Sequence, residues 1–311
     1  MDPRAFFAVS KLVIVAGKGG VGKTTVSAAL ARAAADTGLR VLIVAVGGGT
    51  GLATMLGDQG PGELGDDEVV IASGCGPGGT GSVRARTVTP ARALNDYLDG
   101  HGLGRLTNRL VRTGVLDIVA TAAPGIDDIL VLGRIKALER AGDADLIVLD
   151  APAAGHAVTF LQSARGLLDA VSVGPIHTQA REVLDLLSDP QRCQVVLVTL
   201  PEETPVNELV DTAFALEDRV GISLGPIVVN GLYPEHAGLD IDASGAPPAL
   251  REAARFRRER TELQRDQVER LSRALPLPQL RLPFVFGAGV GDRAVKELAA
   301  ALTAEIAALP S

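Results

Sequence analysis

A short apolar strand that runs into a glycine-rich loop and then an alanine-rich helix constrains this chain more than any other feature. Residues 12–16 are apolar and mostly β-branched, and a helix is predicted over residues 23–36. Between them the chain reads Gly17-Lys18-Gly19-Gly20-Val21-Gly22-Lys23-Thr24-Thr25. Strand, loop and helix in this order are the context in which a Walker A loop occurs. The pattern therefore predicts a loop, Gly17 to Thr25, that binds the phosphates of a nucleotide.

The residue types in this loop suit phosphate chemistry. Four glycines let successive backbone N–H groups turn toward one point, and the helix N-terminus adds the positive end of its dipole. We expect Lys23 to contact the β- and γ-phosphates and Thr24 to bind Mg²⁺. Lys18 is an extra lysine early in the loop. It is either a solvated loop residue or a group that reaches a nucleotide in trans.

Further short apolar runs alternate with longer helical stretches, which predicts an α/β fold. The strands are predicted at residues 41–46, 146–149, 195–199 and 227–229, and the helices at 127–140, 205–219, 249–274 and 292–308. Because the runs are almost continuously apolar, we expect a mostly parallel, doubly wound sheet flanked by helices, with a small helical insertion. Residues 57–81 are crowded with Gly, Pro and acidic residues, which favours a mobile hairpin or loop.

Charge and cysteine content exclude several classes of protein. The net charge of −7 argues against a nucleic-acid-binding surface, which normally carries a basic excess. No apolar run approaches the roughly eighteen residues of a membrane span. Cys75 and Cys193 are too far apart in sequence for a CxxC metal site. Without a signal-peptide pattern at the start of the chain, a reducing, cytoplasmic location is expected.

The loop GKGGVGKTT resembles the deviant Walker A motif of the ArsA-type ATPases, namely the arsenite-pump and tail-anchored-protein targeting ATPases, and of their MinD/ParA and nitrogenase iron-protein relatives. Four later segments are similar to segments of the arsenite-pump and targeting ATPases: Pro124-Gly125-Ile126-Asp127-Asp128, Asp145 to His156, Leu200-Pro201-Glu202 and Ile227 to Pro234. The similarity runs from about Lys11 to Leu302. It implies one deviant-Walker P-loop ATPase domain over 1–311, with a reduced helical subdomain at approximately 160–190, in a bacterial anion-transporting-ATPase-like protein.

The resemblance also implies roles for single residues. Lys18 is implied to cross a dimer interface, Asp150 to hold Mg²⁺ through water, and Gly155 and His156 to form the tip of a second switch loop. Asn230 is implied to lie on the adenine side, and the segment after it lacks the carboxylate of the N-K-x-D motif that reads guanine. ATP and Mg²⁺ are therefore the expected cofactors. From the residues alone, Asp150 and Asn230 could instead cap the turns after their strands.

The first switch departs from the family pattern. Relatives follow the second strand with D-P-A-H, whose aspartate orients the attacking water, whereas this chain continues Gly47-Gly48-Gly49-Thr50. Loss of one preorganised catalytic group costs about 3–4 kcal/mol, so hydrolysis is expected to be weak. Asp58, Asp66 and Asp67 are the nearest carboxylates, but their spacing does not position them. The cysteines for zinc binding or arsenite sensing are also absent.

These features lead to a first hypothesis and two alternatives. The first is an ATP- and Mg²⁺-binding subunit of an ArsA-type ATPase, which couples nucleotide state to dimer conformation and to binding of an unidentified client or membrane protein. One form of it is a heterodimer with a sister chain that keeps the switch aspartate. The second is a non-hydrolysing, nucleotide-gated binding module or regulatory pseudo-ATPase. The third is a membrane- or DNA-positioning ATPase, which the weakly basic helix at 292–308 does not favour.

Overall fold

The structure, a computed structural model, describes residues 1–47, 50–56, 64–100, 125–152, 154–236, 245–287 and 289–310. The strands are β1 (Leu12–Gly17), β2 (Arg40–Val46), β3 (Val69–Cys75), β4 (Gly81–Val88), β5 (Leu146–Asp150), β6 (Cys193–Thr199), β7 (Ile227–Leu232) and β8 (Gln279–Pro283). The helices are α1 (Pro3–Phe7), α2 (Lys23–Asp36), α3 (Thr50–Leu56), α4 (Pro90–Gly100), α5 (Ile126–Ala141), α6 (Ala154–Ala170), α7 (Pro175–Ser188), α8 (Glu203–Val220), α9 (Pro248–Ala274) and α10 (Asp292–Ala307). A short 3-10 turn occupies Pro77–Gly79.

These strands form one sheet in the order β3-β4-β2-β5-β1-β6-β7-β8. Neighbouring strands are parallel except β3, which runs antiparallel to β4 at one edge. The loop-bearing strand β1 lies between β5 and β6, and all six of its residues are buried. The prediction of a mostly parallel α/β sheet covered by helices is confirmed. Because parallel strands end at the same edge, the C-terminal ends of β1, β5 and β7 face one region.

Side chains on the two faces of the sheet belong to separate cores. Leu12 and Ile14 of β1 pack with α5 to α9, whereas Val13 and Val15 pack with α2 and α10. Helix α2 is covered on nearly all sides, with eleven buried residues that are mostly alanines. Small side chains let a helix lie between a sheet and a second helix without overpacking. This layer fixes the position of the helix that begins at the glycine-rich loop.

The segment predicted as a mobile hairpin or loop contributes an edge strand of the sheet, in the part that the structure describes, and this strand forms an antiparallel hairpin with β4. Val69–Cys75 is a complete strand, paired with β4 through two register shifts. Strand β4 was not predicted because Arg84 and Arg86 interrupt its apolar run, and both arginines pair with Glu68. Strand β8 was also missed, since it is short and ends at a proline. Residues 57–63, with Asp58, lie outside the described residues.

Two helices occupy the region of the predicted reduced subdomain. Phe160 and Leu161 of α6 and Val183 and Leu187 of α7 are buried in the same core as β1 and β5. The two helices thus help to cover the sheet, and a separate subdomain at approximately 160–190 stays a prediction. Within the described ranges, no helix is both long and apolar enough to cross a membrane.

Candidate functional site

Two glycines of the loop occupy positions where the backbone leaves no room for a side chain. Gly17 ends β1 with φ +152°, and a Cβ added there would lie 2.3 Å from the carbonyl oxygen of Val198 in β6. Gly22 precedes α2 with φ +89°, and an added Cβ would lie 2.3 Å from Nδ2 of Asn230. The loop is therefore fitted against β6 and β7 by close backbone approach.

Lys23 is the first residue of α2 and points back into the loop. Its side chain is largely buried, and its Nζ donates to the carbonyl oxygen of Lys18 at 3.1 Å. Burial lowers the pKa of Lys23, while the negative charge of Asp150 acts in the opposite direction. A cation held under a cradle of backbone amides is the arrangement that a phosphate group would neutralise.

The carboxylate of Asp150 lies beside the first turn of α2. Asp150 is the last residue of β5, in register with Val15 of β1. Thr24 Oγ1 donates to Asp150 Oδ2 at 2.8 Å, and Ser27 Oγ donates to Oδ1 at 3.2 Å. Burial raises the pKa of Asp150, whereas the two hydroxyl hydrogen bonds and the charge of Lys23 lower it. Thr24 and Asp150 thus come together, and they offer the hard oxygen donors that Mg²⁺ prefers.

Ser27 was not singled out from the sequence. It lies three positions after Thr24 on the same helix face, in a run that is otherwise apolar from Val26 to Ala31. A lone hydroxyl within a buried apolar helix was the signal that could have identified it.

Lys18 has a partner within its own chain. Its Nζ forms a hydrogen-bonded ion pair with Oε1 of Glu208 in α8, and the Lys18 side chain is 50% exposed. The pair lies at the surface, where such contacts are readily exchanged. The predicted role of Lys18 in trans stays a prediction.

Asn230 connects the last part of the sheet to the loop. It lies in β7, and its Nδ2 donates to the carbonyl oxygen of Val21 at 2.9 Å. The following residue, Gly231, has φ +75°, and a Cβ added there would lie 3.4 Å from Cδ2 of Leu200 and 3.8 Å from Cδ2 of Phe284. Asn230 is therefore held at the loop, and its role on the adenine side stays a prediction.

An aromatic cluster beyond Asn230 was missed by the sequence analysis. Tyr233, Phe284 and Phe286 pack with ring centroids 4.8 to 5.7 Å apart. The guanidinium carbon of Arg257 lies 4.4 Å from the Tyr233 centroid and 5.3 Å from that of Phe286. Phe286 is 56% exposed. In a chain with only 3% aromatic residues, the sequence Phe284-Val285-Phe286 was the available signal.

Several predicted positions are described in part or not at all. Gly48, Gly49, Pro124 and Ala153 lie outside the described residues, and so do the side chains of Thr50 and His156. Gly155 and His156 lie in the first turn of α6. The predicted switch roles of these residues stay predictions. Among the residues that are described, no three His, Cys, Asp or Glu side chains group as metal ligands.

The residues present fit a nucleotide triphosphate with Mg²⁺. The glycine cradle would take phosphate oxygens, Lys23 would supply a positive charge to them, and Thr24 with Asp150 would hold the metal. Magnesium needs few protein ligands because it keeps waters and phosphate oxygens in its shell.

Comparison with known proteins supports this interpretation of the site. Residues 12–148 match the model of the CobQ/CobB/MinD/ParA nucleotide binding domain. The ATPase BagA of Mycobacterium tuberculosis is 35% identical over 233 residues, which cover 73% of this chain and 66% of that protein. A putative arsenical pump-driving ATPase of Halobacterium salinarum is 25% identical over 314 residues, covering 94% of this chain and 44% of that protein. An arsenical pump-driving ATPase of Escherichia coli is 29% identical over 239 residues, covering 71% and 35%. The chain spans about two thirds or less of the length of these relatives.

Proposed function

We propose that the chain is an ATP- and Mg²⁺-binding subunit of an ArsA-type ATPase. Its match to the model of the CobQ/CobB/MinD/ParA nucleotide binding domain and its similarity to the arsenical pump-driving ATPases support this proposal. In this proposal the nucleotide state of the chain determines the conformation of a dimer and the affinity of that dimer for a partner. The main support for the proposal is that Lys23, Thr24 and Asp150 lie close together at one edge of the sheet.

ATP is the preferred nucleotide in this proposal. Asn230 holds the loop through one amide hydrogen and keeps its Oδ1 and a second N–H for the edge of a base. In the neighbouring aromatic cluster Phe284 and Phe286 are exposed, and stacking on an aromatic ring is favourable for any base. Discrimination against guanine comes from the absence of a carboxylate in the segment Asn230 to Tyr233.

Hydrolysis by the chain alone is proposed to be weak. No Asp or Glu occurs between Gly47 and Gly57, where relatives are expected to carry the water-orienting aspartate. Phosphoryl transfer needs charge stabilisation and a placed water, and the P-loop supplies mainly the first. A reduction of two to three decades follows from a loss of about 3–4 kcal/mol.

The dimer is proposed to place Lys18 at the nucleotide of the other subunit. In the single chain, Lys18 is paired with Glu208, so association would exchange one anionic partner for another. A sister chain that keeps the switch aspartate would then perform most of the turnover. The alternative, a non-hydrolysing binding module, is favoured by the same missing carboxylate and differs in showing no turnover with any partner.

Equilibrium binding of a fluorescent ATP analogue in Mg²⁺ tests the core of the proposal. The wild-type chain is expected to bind, and Lys23→Ala is expected to weaken binding at least about tenfold, since it removes a charge-assisted contact. Lys11→Ala is the matched control, because Lys11 is exposed and lies just before β1. Equal binding by wild type and Lys23→Ala would contradict a phosphate site in this loop.

A further inference from the structure

Ser27 reaches the metal site from outside the glycine-rich loop. It is fully buried in α2, and its Oγ donates to Asp150 Oδ1 at 3.2 Å. Its neighbours Val26, Ala28 and Ala29 are buried as well, so the hydroxyl lies in a buried and otherwise apolar stretch of α2. A buried hydroxyl requires a hydrogen-bond partner, and here that partner is the carboxylate.

Ser27 differs in this respect from four hydroxyls in other helices. Thr212, Thr261, Ser272 and Thr303 each donate to the backbone carbonyl four residues earlier, at 2.7 to 3.1 Å. That is the usual local bond of a hydroxyl in a helix. Ser27 bonds across to β5 instead, so its hydroxyl serves a side chain of the site rather than its own helix.

Together, Thr24 and Ser27 hold both oxygens of Asp150. They are three positions apart in α2 and therefore project from adjacent turns of one face. A single hydrogen bond to Oδ2 would leave the carboxylate able to rotate about its Cβ–Cγ bond. The second bond to Oδ1, from the same rigid helix, fixes the plane of the carboxylate. Thr24 is also proposed to bind the metal, whereas the Ser27 hydroxyl donates to the carboxylate.

We propose that Ser27 is a positioning residue that sets the orientation of Asp150 for Mg²⁺. This inference rests on the proposed function, because it assigns Ser27 to the same site. Mg²⁺ demands near-ideal octahedral geometry, so a carboxylate that turns freely is a poorer partner for it. Groups that orient metal-binding side chains typically change metal affinity by about 10- to 100-fold when they are removed.

The test is a Mg²⁺ titration at a fixed concentration of mant-ATP, with the full chain. Ser27→Ala should raise the Mg²⁺ concentration at half-maximal binding by about tenfold. Ala favours the helix, so the protein should stay folded, with a thermal midpoint that is lower because one buried hydrogen bond to Asp150 is lost. Ser163→Ala is the matched control, because Ser163 is also buried but donates to the carbonyl of Phe160. It should titrate like wild type.

A double variant shows whether the effect passes through Asp150. In an Asp150→Asn background, Ser27→Ala should cause no further shift in the Mg²⁺ midpoint. An unchanged midpoint in Ser27→Ala, an equal shift in the Asp150→Asn background, or loss of folding in Ser27→Ala would overturn the proposal. Failure of the proposed function is distinct from all three, because wild type and Ser163→Ala would then show no Mg²⁺-dependent mant-ATP binding.

Discussion

At the scale of single residues, the site depends on close approaches that tolerate no added atom. Gly22 combines a positive φ with contact to Asn230, so the amide that links β7 to the loop lies where a Cβ would be. Gly142, at the end of α5, has a similar φ of +72° but open space around it. A side chain at Gly142 would therefore introduce backbone strain alone, whereas a side chain at Gly22 would introduce both strain and a steric clash.

Substitution of these glycines tests the loop geometry. Gly22→Ala and Gly142→Ala should each cost about 1–2 kcal/mol of unfolding free energy from left-handed strain. Only Gly22→Ala should also lose nucleotide binding, because its Cβ displaces Asn230 and the Val21 carbonyl bound to it. Urea unfolding and mant-ATP binding measure the two effects. Full nucleotide binding by Gly22→Ala would show that the contact with Asn230 is not required.

At the scale of elements, α5 and α7 are joined by a buried charge. The side chain of Lys136 is 7% exposed, and its Nζ donates to Glu182 Oε2 at 2.5 Å and to Gln179 Oε1 at 2.9 Å. The hydrogen bond from Lys136 lowers the pKa of Glu182 below its usual value of 4.5. A lowered carboxyl pKa stabilises the fold above 4.5, and this stabilisation is lost as the pH falls through the folded pKa.

Glu182→Gln should consequently lower the free energy of unfolding at pH 7. This loss should become smaller as the pH falls toward 3. The expected loss at neutral pH is about 1 kcal/mol, because Glu182 is partly exposed and its charge is screened. Denaturant unfolding at several pH values measures it. Glu217→Gln on the exposed face of α8 is the control. A loss for Glu182→Gln that does not vary with pH would contradict the assigned ion pair.

The end of β8 offers a second test at this scale. Phe286→Ala should weaken adenine-nucleotide binding by about 1–3 kcal/mol if its exposed ring stacks on the base. Phe214→Ala is the matched control, since Phe214 in α8 is 50% exposed and lies outside the aromatic cluster. Competition of ATP against mant-ATP measures both variants. Equal affinities for wild type and Phe286→Ala would place the base elsewhere.

At the scale of the whole molecule, the sequence predicted what local pattern determines. The central strands and α2 were recognisable because strands buried on both faces are continuously apolar and the loop between β1 and α2 has a fixed spacing. Strand β4 was not recognisable from the sequence, because Arg84 and Arg86 interrupt its apolar pattern. Their charges are compensated by Glu68, which lies just before the neighbouring strand β3. Ser27 and the aromatic cluster were missed for the same reason. Their meaning depends on partners that are distant in sequence, Asp150 for Ser27 and Tyr233 for Phe286.

The proposed dimer is also a property of the whole molecule, and Lys18 is the residue that tests it. Lys18→Ala should leave nucleotide binding by the isolated chain nearly unchanged, because Lys18 points to Glu208 and not into its own loop. It should abolish ATP-dependent association if Lys18 acts on the other subunit. Sedimentation velocity with and without ATP·Mg²⁺ measures this, with Lys11→Ala as the control. ATP-dependent association that survives in Lys18→Ala would remove Lys18 from the interface.

Steady-state ATP hydrolysis by the purified chain, at concentrations that saturate nucleotide binding, tests the central claim most directly. We expect tight, Lys23-dependent binding of ATP·Mg²⁺ with turnover near the background of the Lys23→Ala variant. Lys23-dependent turnover of about 1 s⁻¹ or faster by the chain alone, within the ordinary range of enzymes, would contradict it. Another group would then replace the missing first-switch aspartate, and no sister subunit would be needed.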